Sequence, residues 1–216
     1  MTGSETLKQI LECGVVAVVR SPHAEQLVGV ARALAEGGLR AIEITMSVPH
    51  AIEVIRKVAA ELGDGIILGA GTVLDPETAR AAMLAGAEYV VSPTLNLDVI
   101  RMCRRYDKVV MPGAFTPTEV LTAWEAGADV VKIFPADVAG PNYLKALLAP
   151  LPQVRLMPTG GVDLDTAAAF LKAGACCLGV GSSLVDKEAV RNGEFGRIRE
   201  LAEAFVRIVR ETRGRL

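Results

Sequence analysis

The stretch WEAGADVVKIF, residues 124–134, runs from a helix end through a glycine into a β-branched segment. Three other stretches do the same: LAEGGLRAIEI (34–44), MLAGAEYVVS (83–92) and LKAGACCLGVG (171–181). In each, glycine can take the left-handed conformation that ends a helix at little steric cost, and the apolar residues after it start a strand. Val and Ile without strict polar alternation suit a parallel sheet covered by helices.

Outward from these repeats, strands are predicted over 14–20, 41–45, 66–70, 88–92, 108–111, 129–133, 154–158 and 176–180. Helical patterns lie between them, for example over 23–36, 48–62, 75–85 and 163–172. The amphipathic segment FGRIRELAEAFVRIVRETR (195–213) reads as a covering helix after the eighth strand. The alternating charges on its polar face favour that role over membrane attachment. Eight βα units in 216 residues predict a (β/α)8 TIM barrel, one domain spanning 1–216, with an open doubly wound sheet as the alternative. No linker or low-complexity stretch divides the chain.

Bulk properties narrow the function classes. Hydrophobic residues make up 51% of the chain, enough for a sizeable core, and the formal net charge is −2. No basic run would track a phosphate backbone, so nucleic acid is not an expected partner. No signal-peptide pattern opens the chain, and no apolar stretch reaches the ~20 residues a bilayer requires, so no membrane partner is expected. The cysteines Cys13, Cys103, Cys176 and Cys177 form no C-x-x-C pair, and alternation on a strand sends Cys176 and Cys177 to opposite faces. Reduced thiols and a cytoplasmic location are expected.

Two charges sit where a core strand should be apolar. On the second strand Ala41, Glu43 and Thr45 share one face; on the sixth, Val130, Lys132 and Phe134 do. If Ile42, Ile44, Val131 and Ile133 pack under helices, Glu43 and Lys132 point inward from opposite sides of a barrel and meet across its mouth. One reading is a salt bridge that merely fills the interior, although such a pair is often no more stable than an apolar replacement. The other is chemical: burial lowers a lysine pKa and leaves a neutral amine able to attack a carbonyl and form a Schiff base.

The strand-to-helix junctions EITMSVP (43–49), GAGTV (69–73), SPTL (92–95), MPGAFTP (111–117), KIFPAD (132–137), PTGGV (158–162) and GVGSS (179–183) are rich in Gly, Pro, Ser and Thr. In a barrel, chemistry sits at these junctions, and the last two commonly hold phosphate. Gly160, Gly161, Gly181 and Ser182 would supply amides and a hydroxyl to an anion; the same glycines would also serve ordinary tight turns. His23 and His50 fall at predicted helix starts and read as exposed, which leaves no His-based triad or metal site. GAGTVL (69–74) lacks the third glycine of a dinucleotide fingerprint. The single tryptophan, Trp124, falls on the helix between the fifth and sixth strands and reads as core or subunit contact.

AIEIT with Glu43, GAGTV with Thr72, VSP with Pro93, MPGAFTPTE, KIFPA with Lys132, PTGGV and GVGSSLV occur in the order and spacing of the 2-keto-3-deoxy-6-phosphogluconate (KDPG) and 4-hydroxy-2-oxoglutarate (KHG) aldolases, which the chain resembles from about residue 7 to 205. The resemblance implies a class I aldolase of (β/α)8 fold, usually a homotrimer, that uses no metal or other cofactor and acts on a small, phosphorylated 2-oxo acid. It makes Lys132 the Schiff-base nucleophile and Glu43 the general acid/base. Thr72, Pro93 and Phe134 would hold the pyruvyl moiety, and Thr159, Gly160, Gly161 and Ser182 the far end of the substrate. One position departs: some members carry a substrate-binding arginine four residues after the glutamate, where Ser47 stands here. The rival readings are a phosphate-binding barrel isomerase and a catalytically silent oligomeric scaffold.

Overall fold

The computed structural model of the chain describes residues 1–21 and 24–214. Its strands are β1 (Val15–Val19), β2 (Ala41–Thr45), β3 (Ile67–Gly71), β4 (Tyr89–Val91), β5 (Val109–Met111), β6 (Gly113–Ala114), β7 (Val131–Ile133), β8 (Leu156–Pro158) and β9 (Leu178–Val180). The helices are α1 (Gly3–Cys13), α2 (Leu27–Glu36), α3 (Ala51–Leu62), α4 (Pro76–Leu84), α5 (Leu97–Arg105), α6 (Pro117–Glu125), α7 (Gly140–Leu148), α8 (Ala167–Lys172), α9 (Lys187–Asn192) and α10 (Phe195–Arg213).

All eight predicted strands are present; β2 keeps its predicted bounds, β3 is shifted by one residue, the others are trimmed by a residue or two at their ends, and every pairing is parallel. Six strands form one curled sheet in the order β5-β4-β3-β2-β1-β9, and three form a second in the order β6-β7-β8. The run of neighbours from β1 to β5 follows the chain without the reversal of a doubly wound sheet. The extra strand arises at Pro112, which has no N–H and interrupts the ladder between β5 and β6. The second sheet is tethered to the first on both sides. Thr159 bridges Gly179, and Cys176 N donates to Leu156 O at 3.0 Å. Asp129 N donates to Val110 O at 3.0 Å on the other side.

Strand alternation divides the apolar side chains into two layers. Ile42, Ile44, Val131 and Ile133 join the helix residues in the outer core. Val16, Ala41, Ile67, Tyr89, Val109, Val130 and Met157 pack against one another on the inner face. Ile10 of α1 joins this inner cluster, with Leu7 and Leu11 against it, so α1 covers the N-terminal end of the strands.

α1 was absent from the sequence expectation. Its start is a capping box, in which the Thr2 side chain accepts from Glu5 N and the Glu5 side chain accepts from Thr2 N, and Gly14 ends it in the left-handed conformation. Other predicted helices start late: α3 at Ala51 and α8 at Ala167, where Asp163 and Thr166 spend four residues on a side-chain-bonded turn. The 23–36 pattern divides into a 3-10 turn at Ala24–Gln26 and α2. α10 covers α2 and α8 with its apolar face, as a covering helix should. Among the described residues no helix is long and apolar enough to cross a membrane.

Cys176 and Cys177 precede β9 rather than lying on it, so alternation does not separate them and their sulfurs come within 3.8 Å. All four cysteines are nevertheless free thiols. Trp124 is half-buried against the outer core, with the Arg155 guanidinium 5.0 Å from its ring centre. His50 is exposed at the start of α3, and His23 lies outside the described residues.

Candidate active site

The inward side of β2 and β7 carries the two charges. Glu43 is 1% exposed and Lys132 4% exposed. Glu43 finds room because β3 presents glycine beside it: a Cβ on Gly71 would overlap the Glu43 carboxylate. Neither carboxylate oxygen has a hydrogen-bond partner among the described residues. A space-filling salt bridge between Glu43 and Lys132 is therefore not formed.

The two groups still feel one another. Burial pushes the Glu43 carboxyl above its ordinary pKa, against the pull of the Lys132 and Arg20 charges. Burial pushes the Lys132 ammonium below the usual lysine range; Glu43 opposes that shift and Arg20 adds to it. Lys132 Nζ lies 5.0 Å from the centre of the Phe134 ring. A buried amine with a depressed pKa, next to an unbonded carboxylate, can alternate between nucleophile and iminium while the carboxylate handles protons.

Phe134 opens onto a cavity of about 420 Å³ at the C-terminal ends of β1, β7, β8 and β9. Thr159, Gly160, Gly161, Gly181 and Ser182 line it as well, so six candidate residues come together there. Val18, the β1 partner of Glu43, forms another part of the wall. Gly160 and Gly161 are both in the left-handed region, at φ 95° and 66°, and a Cβ on Gly161 would press into Asp137 of the loop after β7. The loops after β8 and β9 are tied together by Ser183 Oγ, which donates to Val162 O at 2.6 Å. Thr159 Oγ1 is buried, overlies Gly179 and has no partner among the described residues.

Thr72 and Pro93 lie outside the cavity lining, as do Glu43 and Lys132 themselves. Thr72 follows Gly71 with φ 58°, a strained conformation for a β-branched residue, of the kind concentrated at functional sites. The Pro93 backbone packs so closely on β6 that a side chain at Gly113 would overlap it.

Two cations in the cavity wall were not anticipated. Arg20, exposed just past β1, and Lys187, exposed at the start of α9, both line it. Arg20 supplies positive charge on the strand next to β2, whose following loop carries Ser47, hydrogen-bonded to Thr45 at 2.7 Å. The signal was the junction after the first strand, VVRSP (18–22), the one strand end not considered as a site. Asp163 is the acidic member of the lining, its pKa lowered chiefly by the Thr166 backbone amide. Among the described residues no three His, Cys, Asp or Glu side chains gather as a metal site.

The chain has relatives among known proteins. The family model for KDPG and KHG aldolases matches residues 7–201. The chain is 37% identical over 196 residues to the 2-dehydro-3-deoxy-phosphogluconate aldolase of Treponema pallidum, covering 90% of this chain and 93% of that protein. It is 36% identical to the 2-dehydro-3-deoxy-6-phosphogalactonate aldolase of Escherichia coli K12, covering 91% and 95%. A similar solved structure is the KDPG aldolase of Legionella pneumophila with pyruvate captured at low pH as a covalent carbinolamine intermediate. It has a TM-score of 0.86 and 28% identity, and the match covers 95% of this chain and 98% of that one. The chain belongs to the family of KDPG and KHG aldolases, carbon–carbon lyases.

Proposed function

We propose that this chain is a class I aldolase that cleaves KDPG to pyruvate and glyceraldehyde 3-phosphate, and to a lesser extent KHG to pyruvate and glyoxylate, through a Schiff base on Lys132. The observation that carries the reading is the buried Lys132, its pKa lowered by desolvation, beside a Glu43 whose oxygens are unbonded. The carbinolamine captured in the Legionella pneumophila relative supports the same chemistry. In the proposed architecture β5 and β6 count as one strand of a closed (β/α)8 barrel, a reading supported by the tethers at Thr159–Gly179 and Asp129–Val110. A single domain over 1–216, a homotrimer and a cytoplasmic location complete the proposal. The four free thiols suit that compartment, and exposed Leu74, Leu84 and Leu121 offer apolar surface for subunit contact.

Neutral Lys132 adds to the C2 carbonyl, and loss of water leaves an iminium whose positive nitrogen is an electron sink. Glu43 takes the proton of the C4 hydroxyl, directly or through a water, and the C3–C4 pair flows into the iminium to give an enamine and the free aldehyde. The enamine is protonated at C3, and water then releases pyruvate and the amine. Thr72, Pro93 and Phe134 hold the pyruvyl end. Thr159, the amides of Gly160, Gly161 and Gly181, and the Ser182 hydroxyl receive the phosphate end, with Arg20 and Lys187 adding charge.

Reduction with borohydride in the presence of pyruvate tests the reading. The expected result is a reduced pyruvyl adduct on Lys132, located by peptide mass spectrometry. Absence of an adduct there overturns the covalent mechanism and returns the field to an isomerase or a silent scaffold.

A further inference from the structure

Tyr89 is the largest fully buried side chain, 0% exposed, and its hydroxyl has no hydrogen-bond partner among the described residues. Burying an unbonded hydroxyl is costly, and phenylalanine would fill the same space without that cost. The sheet register shows where the hydroxyl is aimed. Glu43, Gly69 and Tyr89 form one row across β2, β3 and β4. A Cβ on Gly69 would overlap Cζ and both Cε atoms of Tyr89, so the hydroxyl end of the ring lies over β3, between β4 and β2. Gly71, the next inward position on β3, seats the Glu43 carboxylate. The two seats are ~6.6 Å apart along the strand, at 3.3 Å per residue. One bridging water, held by two hydrogen bonds of ~2.8 Å, spans a gap of that order.

We infer that Tyr89 is a positioning residue for Glu43, its phenol donating a hydrogen bond through one bridging water to the carboxylate from below. The inference rests on the reading of Glu43 as the proton-transferring group. The groups around the pair are few. Lys132 on β7 and Arg20 beyond β1 act on Glu43; Cys13 at the end of α1 and Cys177 before β9 act with Glu43 on the phenol. The phenol stays protonated, since burial first and the Glu43 charge second push it well above the ordinary tyrosine range. It is a permanent donor, and a donor to a carboxylate favours the ionised base.

Tyr89→Phe tests this with three readouts: pyruvate trapping on Lys132, melting temperature, and the pH profile of kcat. Trapping should match wild type and the melting temperature should hold or rise. kcat should fall ~3–10-fold with KM nearly unchanged, and the acidic limb should move up by about one pH unit or less. Biosynthetic 3-fluorotyrosine, a stronger donor, should move that limb down. A lower kcat with an unshifted limb, or no change at all, overturns the inference and leaves Tyr89 as packing. Loss of pyruvate trapping in the wild-type protein would overturn the parent mechanism, and this inference with it.

Discussion

Glu43 and Lys132 share one buried field without a hydrogen bond between them. Each is removed from water, each shifts the other's titration, and neither carboxylate oxygen is bonded to a described residue. A pair built for stability would close into contact, because desolvation is offset only when geometry and remaining hydrogen bonds are good. Left unbonded, the pair suits the proposed chemistry, in which the amine and the carboxylate act in separate steps.

Substitutions at the two positions should therefore fail differently. Lys132→Arg should abolish turnover and pyruvate trapping while leaving the fold intact, because a guanidinium does not become a neutral nucleophile at working pH. Glu43→Gln should still form the imine but cleave ~10²–10⁴-fold more slowly. Single-turnover trapping beside steady-state kinetics separates the steps. Equal loss of trapping in both variants would contradict the assigned roles.

The pH dependence of trapping carries a sign for each neighbour. Trapping needs the neutral amine, so it should decline as pH falls through the lowered Lys132 pKa and be near its plateau well below the ~10.4 of an ordinary lysine. Glu43 holds that pKa up and Arg20 holds it down. Glu43→Gln should shift the trapping curve to lower pH, and Arg20→Gln should shift it to higher pH. Shifts in the reverse directions would show that the charges do not act on Lys132 as described.

How much of this was legible in the sequence depended on whether a local signal existed. Glu43 and Lys132 stood out because a charge inside a Val/Ile run breaks the pattern, and period-two alternation places each on the inner face. The helix-end glycines marked the repeats. α1 had a readable signal in Thr2-Gly3-Ser4-Glu5, a capping-box spacing. Arg20 was obscure because an arginine at a strand end looks like an ordinary solvated residue until the loops after β8 and β9 are seen closing a cavity beside it. Tyr89 was invisible for a different reason. Alternation points it inward, but only the register through Gly69 tells what its hydroxyl faces. The break at Pro112 and the approach of Cys176 to Cys177 likewise depend on where a ladder stops, which apolar runs do not encode.

The cations of the cavity wall should divide the two substrates. KDPG carries a phosphate that KHG lacks. Lys187→Ala removes charge at the far rim and should lower kcat/KM for KDPG by ~10–150-fold, the range of one charge-assisted hydrogen bond, with little effect on KHG. Arg20→Ala removes charge nearer Lys132 and should weaken both substrates. Parallel kinetics with the two substrates decide the matter. An equal loss for both in the Lys187 variant would place that residue away from the phosphate.

The two inward glycines of β3 should respond oppositely to a single methyl group. At Gly71 a Cβ would overlap Glu43 from Cγ to Oε1, an unbranched, unbonded side chain whose rotatable bonds let it turn away. Gly71→Ala should thus keep its melting temperature within a few degrees while kcat drops ~10²-fold, the scale expected when a reacting group is displaced by about 1 Å. At Gly69 the same methyl meets the ring of Tyr89, which is fully enclosed and has nowhere to go. Gly69→Ala should therefore cost stability, about 1–3 kcal/mol by overpacking. Thermal melts and steady-state kinetics on both variants check this. A stable, fully active Gly71→Ala protein would mean that Glu43 does not need its seat on β3.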